Sequence, residues 1–478
     1  MPTLNAGWSE SAGRWAGSNR VVPVLIHTLG CKLNQLESES YADAFAQAGL
    51  QVLQHELAVS QTETPPSVVV INTCTVTSKA DQKARRIIRK ALTDYPNATV
   101  IVTGCYAQLD KEEIEKLEND GRQRLLVLGK EKLLGLPDIF KGSGEQGKDK
   151  REKIKEKREN VFQFAPEKFS FHTRSFLKIQ DGCNNKCTYC RIRLARGLSV
   201  SLDAGFALSR LKILETDHAE AVITGVNICQ YEDQSGCLSR RSDDETDGSK
   251  LGGLLRYLLS GTEKIALRLS SLSPDFITED FAKILSDKRI RPHFHLSIQS
   301  GSKKILERMG RGYDGKTIEK AVSLLRGAKS DPFLACDIIT GFPGETQTEF
   351  EKTYELCRKT GFAWIHVFPY SKRRGTAAWS FKDSVQEKEK KMRVQLLTDL
   401  AWQGRADYIQ RWLNREVDVL IEKSPPAKPH LRAISENYLK LLVTRKGKEA
   451  PLPGTVLRCK IIKAGEERGE YDAIAEAD

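Results

Sequence analysis

The sequence predicts an α/β protein in three successive parts: an N-terminal parallel-sheet domain, a central partial (β/α)6 TIM-like barrel and a small C-terminal β-barrel. Three observations predict it. From Val21 short β-branched runs alternate with amphipathic helical stretches, the pattern of a parallel sheet covered by helices. That alternation stops in the charged run KGSGEQGKDKREKIKEKREN (141–160) and resumes at Phe176 for six further rounds. After a long charged stretch at 385–415 only strand-length runs remain. The boundaries that follow are a disordered tail at 1–20, a first domain at 21–140, a linker at 141–165, a central core at 166–410 and a last module at 411–478.

In the first domain, strands are expected at Val24–Thr28, Val68–Asn72, Thr99–Thr103 and Leu125–Leu128, with helices at Leu36–Ala48, Lys79–Leu92 and Lys111–Leu117. The central strands are expected at Phe176–Ile179, Ala221–Ile223, Ile265–Leu269, Phe294–Ile298, Phe333–Ile339 and Ala363–Phe368. Helices at Val200–Leu214, Leu251–Leu259, Asp275–Ser286, Lys316–Arg326 and Thr348–Lys359 separate them. Six such units suit a barrel wall that never closes to eight. The polar run between Ile228 and Lys250 reads as a surface loop. One long helix, Val385–Arg415, leads to short strands at Glu416–Glu422, Tyr438–Thr444, Thr455–Ile461 and Tyr471–Ala475, with a loop at Pro425–Pro429.

Composition narrows the class. No stretch reaches the roughly 18 apolar residues of a membrane helix, and the first 20 residues lack the apolar centre of a signal peptide. A soluble protein of the reducing cytoplasm is expected. Its eleven cysteines then point to metal or redox chemistry rather than a disulfide scaffold. The net charge of +12 suits a polyanionic partner such as RNA, and equally a merely basic protein.

Three cysteines share one loop. DGCNNKCTYC (181–190) spaces Cys183, Cys187 and Cys190 as C-x3-C-x2-C after an expected strand. Three thiolates can ligate three irons of a [4Fe–4S] cube and leave the fourth open, whereas closed electron-transfer clusters use four cysteines. The plainer readings are a zinc site or incidental cysteines; a zinc ribbon would need a second CxxC or His pair in step, and none is present. Five later runs end or follow strands with polar or glycine residues: GVN (225–227), RLSS (268–271), HLSIQSG (295–301), DIITGFPGE (337–345) and HVFPYS (366–371). Barrel active sites sit at that end.

Three more cysteines lie far apart. Cys31, Cys74 and Cys105 each closely follow an expected strand of the first domain. The carboxyl ends of neighbouring parallel strands share one edge, so these three can converge on a second cluster with one open iron. Three reduced core thiols are the plainer alternative. Cys229, Cys237, Cys336, Cys357 and Cys459 read as structural or incidental.

The runs TLGCKLNQLESE (28–39), NTCTVTSKADQKARR (72–86), VTGCYAQ (102–108) and DGCNNKCTYC resemble the radical-SAM methylthiotransferases, in order, over nearly the whole chain from Val21. Within that family CKLN (31–34) resembles the subgroup acting on N6-threonylcarbamoyladenosine in tRNA; the ribosomal-protein subgroup reads GCPKN here and the isopentenyladenosine subgroup GCQMN. One departure is CRIR (190–193), where the family has Cys-Ile-Ile-Pro; it bears on the loop's conformation rather than its ligands.

The resemblance implies two [4Fe–4S] clusters and S-adenosylmethionine (SAM). The cluster at Cys183, Cys187 and Cys190 would cleave SAM to a 5′-deoxyadenosyl radical, and that at Cys31, Cys74 and Cys105 would supply sulfur for methylation by a second SAM. The substrate would be the modified adenosine at position 37, 3′ to the anticodon, in a tRNA anticodon stem-loop. Tyr189, Gly225, Asn227, Ser270, Gln299 and Asp337 are expected to line the SAM site from their motif positions. A flavodoxin- or ferredoxin-like electron donor and a sulfur source are implied partners, and the last module corresponds to a TRAM RNA-binding barrel. Its residues 415–478 hold 12 Lys/Arg against 11 Asp/Glu, so charge adds nothing there. Six basic residues within Lys79–Lys90, and Lys186, Arg191, Arg193 and Arg196 by the cluster loop, are the better candidates for phosphate contact. The alternatives are an isopentenyladenosine tRNA or a ribosomal protein as substrate, or a non-catalytic iron–sulfur RNA-binding protein.

Overall fold

The structure, a computed structural model, describes residues 22–54, 64–118, 121–134, 161–238, 250–382, 384–423, 431–445 and 450–477. The expected tail at 1–20, the charged run Lys141–Asn160 and the Pro425–Pro429 loop lie outside them. Contacts divide the chain into two units, residues 1–171 with 191–197, and 172–190 with 198–478.

In the first unit Val68–Thr73 (β3) is buried along its whole length, as a central parallel strand covered on both faces must be. It lies between Pro23–Thr28 (β1) and Thr99–Gly104 (β4), with Gln51–Gln54 (β2) and Leu125–Val127 (β5) at the edges. The order β2-β1-β3-β4-β5 is parallel throughout. Alternate residues serve opposite faces. Val24, Ile26, Val68 and Val70 pack under Tyr41, Ala42 and Phe45 of the helix Lys32–Gln47. Leu25, Val69, Ile71 and Val100 pack under Ala84, Ile88 and Ala91 of the helix Ser78–Asp94. The helices after β1 and β3 thus cover opposite faces, which makes the gap between those two strands a topological switch point.

The second unit holds six parallel strands. Ser175–Lys178 (β6), Glu220–Thr224 (β9) and Ala266–Leu269 (β10) form one sheet; His293–Gln299 (β11), Phe333–Thr340 (β12) and Trp364–Pro369 (β13) form another. Two single parallel bridges, Leu267 to Ile290 and Leu272 to Leu296, join the sheets into a wall in chain order. This is the expected open partial barrel. A short antiparallel pair, Gln180–Asp181 (β7) with Val200–Ser201 (β8), flanks it.

Two expectations need correction here. Val200–Ser201 is strand, and the helix expected from Val200 starts only at Ala204, where Asp203 accepts from the amides of Gly205 and Phe206. The insertion after Ile228 is not a surface loop throughout. Ile228, Tyr231 and Leu238 are buried, and Asp233 accepts from the amides of Ala204, Ser235 and Leu238, so its first part is packed; 239–249 lie outside the described residues.

The C-terminal strands Glu416–Ile421 (β14), Leu431–Ser435 (β15), Lys440–Arg445 (β16), Val456–Ala464 (β17) and Ala473–Ala477 (β18) close into a five-stranded barrel. Its core (Val417, Val419, Leu441, Val443, Ile461 and Ala475) continues into Phe333 and Ala335 at the amino end of β12 and Ala363 just before β13. Beside it Glu220, the first residue of β9, receives Nε and Nη2 of Arg268 at 2.6 and 3.0 Å and Nε of Arg291 at 3.0 Å. Arg268 also donates to the Ser435 carbonyl and lies 5.0 Å from the Tyr438 ring centre, on which His293 stacks. The small barrel is therefore fastened to the amino ends of the strands, the end of a parallel barrel that serves stability rather than chemistry.

Among the described residues no helix is long and apolar enough to cross a membrane.

Candidate functional site

At the carboxyl edge of the first sheet, Cys31 caps the helix after β1, Cys74 follows β3 directly and Cys105 opens the short helix Cys105–Leu109 after β4. The topology thus puts Cys31 and Cys74 on either side of the switch point. Buried Asn34 ties their loops together: its Nδ2 donates to the Leu29 carbonyl at 2.8 Å and the Thr73 carbonyl at 2.9 Å. Its Oδ1 lies 3.7 Å from the Cys31 Sγ. Asn72 Nδ2 returns a bond to the Asn34 carbonyl.

Two glycines make the close approach possible. Gly30 has φ +107°, and a Cβ there would fall 2.5 Å from the Cβ of Cys74 and 3.0 Å from its Sγ. Gly104 has φ +94°, and a Cβ would meet the Thr73 carbonyl oxygen at 2.3 Å. Both positions demand a residue without a side chain.

Burial, then the neighbouring Cys31 and then Cys105 push the Cys74 thiol up to about 12, while the Val76 amide and Arg196 oppose them. Raised in this way, the buried Cys74 favours its thiolate form with a bound cation beside it. The donor set therefore fits an iron–sulfur cluster. Among the described residues no three His, Cys, Asp or Glu side chains converge as a single metal ion requires. A four-iron cube takes each thiolate on a different iron.

Charged side chains border this set. Lys130 Nζ lies 2.9 Å from Glu37 Oε1 and 4.0 Å from Cys105 Sγ. Arg196 Nη1 lies 2.9 Å from the same Glu37 oxygen. Arg191 grips Asp110 with both terminal nitrogens, at 2.9 and 3.1 Å. The expectation that Arg191 and Arg196 meet phosphate is thereby corrected, since both guanidinium groups are turned inward onto carboxylates. On the helix Ser78–Asp94, Lys79, Lys83, Arg86, Arg89 and Lys90 are exposed, whereas Arg85 bonds Tyr106 and Glu113.

In the second unit the loop carrying Cys183, Cys187 and Cys190 is pinned from several sides. Gln180 Nε2 donates to the Gly182 carbonyl at 2.7 Å and to Ser199 Oγ at 2.8 Å. Asn184 N donates to Gln230 Oε1, and the Thr188 amide and hydroxyl donate to the carbonyls of Met309 and Arg308. Burial pushes the Cys187 thiol up, and Arg311 opposes it. These three thiols again fit a cluster.

Of the expected SAM-site residues, Gly225 and Asn227 follow β9 and gather on Gln180. The Asn227 amide donates to Gln180 Oε1 at 2.9 Å, and a Cβ on Gly225 would lie 2.9 Å from that atom and from the Gln180 carbonyl. Tyr189 accepts from Arg311 Nη2 at 3.0 Å. Ser270 follows β10 and donates to Thr224 Oγ1 at 3.0 Å. Gln299 closes β11 at φ +63°. Asp337 departs from the strand-end pattern: it lies inside β12, where its Oδ1 is 3.1 Å from His295 Nε2, and His295 Nδ1 in turn meets Ser271 Oγ. Gln180, Arg311 and His295 were missed as site residues. Only His295 and Gln180 carried a signal, His295 by opening a quoted motif and Gln180 by directly preceding DGC.

Comparison with known proteins agrees with this layout. The family described as Uncharacterized protein family UPF0004 matches residues 23–125, and the Radical SAM superfamily matches 177–357. The chain is 36% identical to the threonylcarbamoyladenosine tRNA methylthiotransferase MtaB of Treponema pallidum, over 92% of this chain and 98% of that protein. It is 34% identical to the MtaB of Bacillus subtilis, over 92% and 94%. The tRNA-2-methylthio-N(6)-dimethylallyladenosine synthase of Bartonella bacilliformis is 29% identical over the same shares. With near-complete coverage at this identity, the chain belongs to the radical-SAM methylthiotransferases, enzymes that work with iron–sulfur clusters and SAM.

Proposed function

We propose that this enzyme converts N6-threonylcarbamoyladenosine at position 37 of tRNA to its 2-methylthio derivative, with Cys183, Cys187 and Cys190 holding one [4Fe–4S] cluster and Cys31, Cys74 and Cys105 a second. The observation that carries the reading is that Cys31, Cys74 and Cys105 follow three neighbouring strands of one sheet while Cys183, Cys187 and Cys190 share one loop, in a chain whose relatives bear that activity in their names. An adenine C2–H is neither acidic nor electrophilic, so a positioned acid and base could not functionalise it. A cluster with an open iron supplies, when bound, the reductive cleavage of SAM to a carbon radical.

The protein's own residues hold and orient. Gln180 keeps the Gly225–Asn227 turn against the cluster loop, and Arg311 fixes the Tyr189 hydroxyl. Tyr189, Gly225, Asn227, Ser270, Gln299 and Asp337 line the SAM pocket in this reading. His295 is held between Ser271 and Asp337, so the Asp337 carboxylate favours the proton on its Nε2. The exposed Lys79, Lys83, Arg86 and Arg89 supply phosphate contacts that position RNA, and a loop base can leave its stack to enter a pocket. The enzyme acts in the cytoplasm with a reducing electron donor, flavodoxin- or ferredoxin-like, and a sulfur source.

Mass spectrometry of tRNA nucleosides from a strain lacking this gene tests the substrate. We expect 2-methylthio-N6-threonylcarbamoyladenosine to vanish and its unthiolated precursor to accumulate. Persistence of that nucleoside, with loss instead of the methylthiolated isopentenyl derivative or of a ribosomal-protein modification, would overturn the assignment.

A further inference from the structure

We propose that Lys130 and Arg196, locked by the buried carboxylate of Glu37, are positioning residues that set the reduction potential of the cluster at Cys31, Cys74 and Cys105. This rests on the assignment of that cluster above.

Cys31, Asn34 and Glu37 are spaced three apart along the start of one helix, which brings them to one face. Glu37 is fully buried, and one of its oxygens receives both cations, Lys130 Nζ and Arg196 Nη1, each at 2.9 Å. Neither cation has much water to turn to: the side chains of Lys130 and Arg196 are 12% and 4% exposed. Both also reach toward sulfur. Lys130 Nζ lies 4.0 Å from Cys105 Sγ, while Arg196 Nη2 lies 3.3 Å from Asn34 Oδ1, the atom next to Cys31 Sγ.

Lys130 and Arg196 are two fixed cations beside sulfurs that ligate as thiolates. Reduction adds an electron to an already anionic assembly, so each fixed cation nearby favours the reduced state and raises the potential. Glu37 holds the cations in place and also moderates their effect.

The test uses the full-length protein with Cys183, Cys187 and Cys190 replaced by Ala, reconstituted anaerobically so that only the other cluster is present. Iron content and the potential from an EPR-monitored redox titration are measured for this background and for Lys130→Met, Arg196→Met and Glu37→Gln within it. The expected result is an unchanged iron content with opposite shifts: a lower potential in both Met variants and a higher one in Glu37→Gln. Arg196→Lys, which keeps the charge, should stay near the background. Met variants that hold full iron at an unmoved potential would overturn the inference. So would three variants that all shift in one direction, or iron loss in Arg196→Met that Arg196→Lys does not restore, because either marks geometry rather than charge. A background protein that binds no iron would overturn the cluster assignment, and the inference with it.

Discussion

Replacing Cys31, Cys74 and Cys105 together with Ala is expected to leave SAM cleavage running while methylthiolated tRNA falls below detection. Replacing Cys183, Cys187 and Cys190 should instead abolish both 5′-deoxyadenosine and modified nucleoside. The asymmetry follows from where the cysteines sit. The first set lies at the sheet edge of one unit, and the second on a loop of the other, tied to Gln180 and to the Gly225–Asn227 turn. Ala offers a metal nothing to bind, so each triple substitution removes one ligand set and leaves the other intact. None of the first set belongs to the two apolar clusters that hold its sheet to the helices, so the fold should survive. Far-UV circular dichroism checks that, with 5′-deoxyadenosine and modified nucleoside quantified from the same reactions. A folded Cys31/Cys74/Cys105 variant with full methylthiolation would leave these cysteines as core thiols.

Glu220→Gln should destabilise the second unit by about 3–5 kcal/mol at neutral pH, because it strands the buried guanidinium of Arg268 without its counter-charge. Burial alone pushes the Glu220 carboxyl up, but Arg268, Arg291 and Arg174 outweigh it and bring it to about 2 from an ordinary 4.5. The folded value is the lower one, so the carboxylate's contribution is present above about 4.5 and is lost as pH falls toward 2. Denaturant unfolding followed by tryptophan fluorescence measures this, since Trp364, Trp379, Trp402 and Trp412 all belong to the second unit. The parent should lose stability through that acid window, and Glu220→Gln should be flatter across it. Equal stability of the two proteins at pH 7 would mean that this ion cluster does not fasten the small barrel.

What the sequence made legible was whatever depends on local pattern. The run VVVINT read as a strand because a central parallel strand is apolar on both faces, and the structure buries all six residues. Gln51–Gln54, with two apolar residues, was missed as an edge strand, and Leu431–Ser435 was missed after a proline-rich run. Cys31, Cys74 and Cys105 could be grouped from sequence because strand ends share an edge. Glu37, Lys130 and Arg196 could not. They are far apart in sequence, and a charged residue in a chain rich in charge gives no sign of burial until folding supplies its partner. The same holds for Arg191, which read as a phosphate contact and is instead clamped on Asp110. Asp337 was legible as a motif residue but not as the partner of His295, because the pairing of β11 with β12 sets that contact.

Iron stoichiometry tests whether one chain carries two separate clusters. After anaerobic reconstitution the parent should bind about eight irons per chain, two four-iron cubes, and either triple Ala variant about four. The six-fold variant should bind essentially none. A parent that binds about four irons, unchanged by replacing Cys31, Cys74 and Cys105, would contradict it.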